Sequence, residues 1–85
     1  MKIRVYVRVE TIEVLLVKKN KDPEWLADEI AKAMSMSSYY TMKMVRGERP
    51  MGAEVRGKLM EMFRGMKASR GRPCWDDFFK IQEAA

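Results

Sequence analysis

The hydrophobic period changes once, near residue 10, and that change limits the folds open to the chain. Lys2 to Val9 reads KIRVYVRV, with Ile3, Val5, Val7 and Val9 on one face and Lys2, Arg4, Tyr6 and Arg8 on the other. Strict alternation of β-branched residues specifies a half-buried strand. From Glu10 onward apolar residues recur every three to four positions, the spacing of amphipathic helices. A lone strand leaves its ladder of backbone N–H and C=O groups unpaired. No later segment is an obvious partner. Two solutions are therefore expected: pairing with the same strand of a second copy, or packing as an extended arm against the helices.

Five short helices follow from the periodicity. Ile12, Leu15, Leu16 and Lys19 form one stripe of a first helix over about 10–19. Asp22-Pro23-Glu24 starts a second, with an N-cap acid, proline at the first helical position and a carboxylate in the first turn. Leu26, Ala27, Ile30, Ala31 and Met34 give its stripe, which runs to about Ala33. Ser35 or Ser37 caps a third helix that passes through Tyr39, Tyr40, Met44 and Val45 to Gly47, a natural C′ residue. Gly47 to Gly52 is a loop, and Ala53 to Phe63 a fourth helix with Val55, Leu59, Met62 and Phe63 inward. After a basic loop over 65–73, Pro73 or Cys74 opens a last helix with Trp75, Phe78 and either Ile81 or Phe79 facing the core. The predicted fold is mainly all-α: one domain, residues 1–85, with a strand or arm over 1–9 and a helical core over 10–82.

Composition narrows the function. Eighty-five residues, 47% apolar and 34% charged, suit one globular domain. The chain has no His, which removes the default general base and the commonest zinc ligand. Its single Cys, Cys74, cannot form an internal bridge, which suits a reducing cytoplasm, and it reads as structural. No apolar run approaches the roughly 18 residues of a spanning helix, and the charged first ten residues do not read as a signal peptide. No dinucleotide, P-loop, zinc or EF-hand spacing is present, and Asp76 and Asp77 fit a helix first turn better than a catalytic pair. The expectation is a protein without catalytic residues, metal, cofactor, membrane contact or small-molecule substrate. The nine Met residues mostly occupy positions where a helical core expects aliphatics.

The net charge of +5 is unevenly spread. Residues 1–21 carry six basic and two acidic side chains, 22–40 one and four, 41–73 nine and three, and 74–85 one and three. Two basic blocks flanking an acidic one form a footprint for polyanion binding, because phosphate neutralisation supplies most non-specific affinity for nucleic acid. A mixed solvated surface is the plainer alternative.

Two short helices joined by a tight turn, the second starting with Ser, have the layout of a helix-turn-helix. Leu26-Ala27 (or Ile30-Ala31), Met36-Ser37-Ser38-Tyr39-Tyr40 and Met44-Val45-Arg46-Gly47-Glu48-Arg49 resemble the Cro/C1-type helix-turn-helix of phage repressors and XRE-like regulators. Trp75-Asp76-Asp77-Phe78-Phe79 is similar to that family's closing helix, so the likeness spans roughly residues 9–82. Four additional residues precede the turn, about one helical turn, which keeps the buried face in phase. Ser35 stands where the family has Gly, and Thr41 where it has a buried aliphatic.

The resemblance implies a compact five-helix, lambda-repressor-like domain that binds double-stranded DNA with its third helix in the major groove. It places Ser38, Tyr39 and Lys43 at base-reading positions, with Tyr40 beside them. Lys43 can donate to guanine O6 and N7, Ser38 to several base edges, and the Tyr39 ring can pack on a thymine methyl; core packing is the alternative for both tyrosines. Ser37 is a cap that can also present backbone N–H groups to a phosphate. Arg46 and Arg49 flank the turn where the family grips the sugar-phosphate backbone, and Lys19 and Lys21 precede helix two. Arg70-Gly71-Arg72-Pro73 resembles an AT-hook core, able to lay two Arg side chains along an A·T minor groove; a basic loop ending in Pro at a helix start explains it more simply, and non-specific phosphate contact is a further alternative. The function implied is a transcriptional regulator, acting in the cytoplasm on the nucleoid as a homodimer on a palindrome. The rivals are a protein-interaction module, such as an antitoxin or anti-repressor, and an RNA binder that stacks bases on Tyr6, Tyr39 and Tyr40.

Overall fold

The N-terminal strand finds its partner at the far end of the same chain. The structure, a computed structural model, describes residues 2–66 and 75–84. β1 (Lys2–Val7) runs antiparallel to β2 (Phe79–Ala84), with Val5 opposite Ile81 and Val7 opposite Phe79. Between them come α1 (Val9–Lys19), α2 (Pro23–Met34), α3 (Ser38–Val45), α4 (Ala53–Met62) and the single turn α5 (Trp75–Phe78). The described residues are mainly helical, with one two-stranded ribbon. Neither expected solution for β1 is the one used within the chain, since the ladder is satisfied by β2.

The same pairing corrects the last helix, which stops at Phe78 instead of continuing toward residue 82. Phe78 and Phe79 are each 1% exposed. Consecutive residues of a strand point to opposite faces, and those of a helix diverge by about 100°. A change of conformation between the two rings turns both inward. Phe78 then stacks 6.2 Å from Phe63 and 5.9 Å from Phe79, and Trp75 lies 5.2 Å from Phe79. Of the two alternatives for the core, Phe79 is the one buried, and Ile81 is 59% exposed. Pro73 and Cys74, expected to open the helix, lie outside the described residues.

Arg8 fastens the ribbon to the helical body. Its backbone N–H donates to the Phe78 carbonyl at 2.6 Å, and its Nε donates to the carbonyls of Asp76 at 2.8 Å and Phe79 at 3.1 Å. The carbonyl end of α5 thus meets a cation, which both satisfies the free acceptors and matches their partial charge. The loop after α3 closes on β1: the Met51 N–H donates to the Val5 carbonyl at 2.8 Å, and the Met51 side chain is buried. Gly47, at φ +77, lies so close to this junction that a Cβ there would come within 3.0 Å of Val9 Cγ2. A side chain would be strained on both counts.

The first four helices follow the predicted stripes closely. Ile12, Leu15 and Leu16 of α1 meet Leu26, Ala27 and Ile30 of α2, Met44 and Val45 of α3, and Val55 and Leu59 of α4 in one buried cluster. Lys19, placed in the α1 stripe from sequence, is exposed, and α1 ends there through Asn20 at φ +58. Met44 is buried, while Met34, Met60 and Met62 pack half-buried against the cluster.

Candidate nucleic-acid interface

Local chemistry fixes α2 and α3 relative to each other. Asp22 caps α2, its Oδ1 accepting the Trp25 N–H at 2.8 Å. α2 ends at Ser35, which adopts φ +53, and the Met36 N–H returns to the Ala31 carbonyl at 2.9 Å. Ser37 then caps α3, with its hydroxyl 3.5 Å from the Tyr40 N–H. A left-handed conformation that glycine adopts freely is therefore carried here by Ser, at a steric cost of about 1–2 kcal/mol.

Thr41 holds the third helix down. It is fully buried, and its hydroxyl donates toward the Ala27 carbonyl of α2 at 2.9 Å and the Ser38 carbonyl at 3.0 Å. Met44 and Val45 share its buried side. Residues turn by about 100° each along a helix, so Tyr39, Lys43 and Arg46 come out on the side opposite Thr41. Tyr39 is 72% and Tyr40 40% exposed, and Ser38 and Arg46 are exposed as well. Lys43 is half-buried, its ammonium lying 4.8 Å from the centroid of the Tyr39 ring. That cation–π contact sets the lysine along the outer face instead of letting it sweep through solvent. Among the described residues no carboxylate pairs with Lys43 or Arg46.

The flanking cations divide into two groups. Arg46 is the C-cap of α3, and Arg49 stands exposed in the loop that follows, which the Glu48 N–H anchors to the Lys43 carbonyl at 2.9 Å. Lys19 and Lys21 gather instead over the Trp25 ring, at 5.9 and 5.4 Å. The sequence reading named the two lysines but not the ring, although the spacing from Lys21 to Trp25 across the helix start was the available signal. A depression of about 270 Å³ between the start of α2 and the end of α3 was also missed. It brings Glu13, Asp22 and Glu24 to the same wall as Arg46. These carboxylates already complement the positive end of α2 and share their wall with Arg46, whereas Arg49 lies outside it. Arg70 and Arg72 lie outside the described residues.

Among the described residues no group of His, Cys, Asp or Glu is arranged to hold a metal ion, and no helix is long and apolar enough to cross a membrane. No protein-family model, curated protein or solved structure matches the chain. The site is thus characterised by its own residues: an eight-residue helix held at its inner side by Thr41, whose outer side carries exposed Tyr39 and Arg46 and half-buried Lys43.

Proposed function

We propose that the chain is a non-enzymatic, sequence-specific DNA-binding regulator of transcription, resembling Cro/C1-type repressors and acting on the nucleoid, with α3 lying in the major groove. One observation carries the reading: Tyr39, Lys43 and Arg46 share the side of α3 opposite the buried Thr41, with Tyr39 and Arg46 exposed, Lys43 half-buried against the Tyr39 ring, and no ion pair to a carboxylate among the described residues. An α-helix about 10–12 Å across with its side chains fits a major groove roughly 12 Å wide.

In this reading Lys43 donates to guanine O6 and N7, the Tyr39 ring packs on a thymine methyl, and Ser38 and Tyr40 meet neighbouring base edges. Ser37, Arg46 and Arg49 bind phosphates, Lys19 and Lys21 contribute from the start of α2, and Arg70 and Arg72 serve an adjacent minor groove. One such module covers half a site, so a homodimer on a palindrome is the working form.

The test compares Lys43→Met with Arg49→Met on duplexes selected from random sequence, at two salt concentrations. Lys43→Met should cost about 1–3 kcal/mol on the selected sequence and relax the preference at one base pair. Arg49→Met should weaken all duplexes alike and reduce the salt slope by about one. Equal losses on every sequence from both variants would remove Lys43 from the reading surface.

A further inference from the structure

We infer that the outward face of the β1–β2 ribbon is a second contact surface, on which Arg4, Tyr6 and Lys80 hold the phosphodiester backbone of duplex DNA. The pleat sorts the ribbon's residues into two sets. Val7 and Phe79 are buried in the core, and Val5 packs half-buried against it. Successive side chains of a strand point to opposite faces, so the even-numbered residues look away from the helices. In register these are Arg4 opposite Gln82 and Tyr6 opposite Lys80. Arg4, Lys80 and Gln82 are exposed, and Tyr6 is half-buried. The only acid in either strand, Glu83, stands at an odd position.

Charge selects the occupant. Arg4 and Lys80 are diagonal neighbours across the ladder, a placement that sets their Cα atoms about 7–8 Å apart. Neither makes an ion pair among the described residues. Like charges so close repel each other, and an anion shared between them relieves the repulsion. A phosphodiester chain offers a charge to each at once: the guanidinium fork and the ammonium both suit phosphate, and the Tyr6 hydroxyl adds a neutral donor. Arg8 is not counted, because its Nε is spent on the Asp76 and Phe79 carbonyls. The exposed apolar residues of the ribbon, Ile3 and Ile81, stand at odd positions. The even face therefore lacks the apolar centre that a protein partner or a lipid bilayer would bury. Its surroundings agree, since the Met51 N–H bonds the Val5 carbonyl and so closes the loop that carries Arg49 onto β1. Backbone contacts carry no base information, so the ribbon adds affinity while α3 selects sequence. That the polyanion is DNA rests on the proposed DNA reading.

The experiment measures affinity of the full chain by fluorescence anisotropy, on a selected and a scrambled duplex, between about 50 and 200 mM salt. Each lost phosphate contact removes about 0.9 from the slope of log affinity against log salt. Arg4→Gln combined with Lys80→Gln should therefore show a fall in affinity about twelvefold smaller than the wild type's over that range. The loss should be equal on both duplexes, with base preference intact and the melting temperature not lowered. Lys58→Gln, which removes a cation of α4 paired with Glu61 at 3.9 Å, should leave the slope unchanged. A double variant with the wild-type slope, a change per charge equal to that of Lys58→Gln, or a loss confined to binding of phosphatidylserine vesicles would each overturn the inference. Sequence-selective binding with an unaltered slope in the double variant would sink the ribbon surface alone. A slope that responds as expected, on a wild type without sequence preference, would sink the regulator reading alone.

Discussion

The α2–α3 pair and the β1–β2 ribbon are held by opposite means. The helix pair is closed by caps, a left-handed turn residue and one hydroxyl whose carbonyl acceptor in α2 is 14 positions away. The ribbon is closed by Arg8, reaching carbonyls 68 and 71 positions away, and by a ladder between the two ends of the chain. Short-range chemistry orders the surface proposed to read DNA, while long-range contacts close the body that carries it. Stability and recognition should therefore respond to different substitutions.

The largest effect is expected where the ribbon meets the core. Phe78→Ala removes a ring buried between Phe63 and Phe79 and should cost about 3–5 kcal/mol, read as a lowered denaturant midpoint. If helix signal and tryptophan fluorescence then melt separately, the two regions fold as independent units and the contrast sharpens. Arg8→Met should cost about 1.5–3 kcal/mol by leaving carbonyls without their charged donor. Thr41→Val should cost about 1 kcal/mol for the lost cross-helix bond, with a larger fall in DNA affinity than its stability loss explains. Tyr39→Ala should leave stability within about 0.5 kcal/mol while reducing the preference for thymine. Opposite in sign, Ser35→Gly should stabilise by roughly 0.3 kcal/mol, because the relief of φ +53 is offset in large part by glycine's greater unfolded-state entropy, visible as a slightly raised melting temperature.

Legibility in the sequence followed the same division. The Asp22 and Ser37 caps, the apolar stripes and the α1–α4 boundaries are local signals, and each lies within two residues of where it was read. The segment from Trp75 to Gln82 fits both periods, since Phe79 and Ile81 alternate with Lys80 and Gln82 while Trp75, Phe78 and Phe79 also suit a helix. Only the unpaired ladder of β1, a demand from the other end of the chain, decides between them. Thr41 reads as a polar residue in an aliphatic position until its acceptor on α2 is known. On the candidate interface, the four-residue spacing of Tyr39 and Lys43 already put them on one face. The ring over which Lys19 and Lys21 gather, and the carboxylates beside Arg46, depend on how α1, α2 and α3 meet, which no single segment encodes.

Amide chemical-shift mapping on adding a selected DNA duplex tests the central claim most directly. A DNA-reading α3 predicts the largest shifts over Ser37–Arg46 and at Arg49, with Val14 and Val17 on the outer face of α1 unmoved. Shifts concentrated on α1 or on the ribbon, with Tyr39 and Lys43 silent, would contradict it.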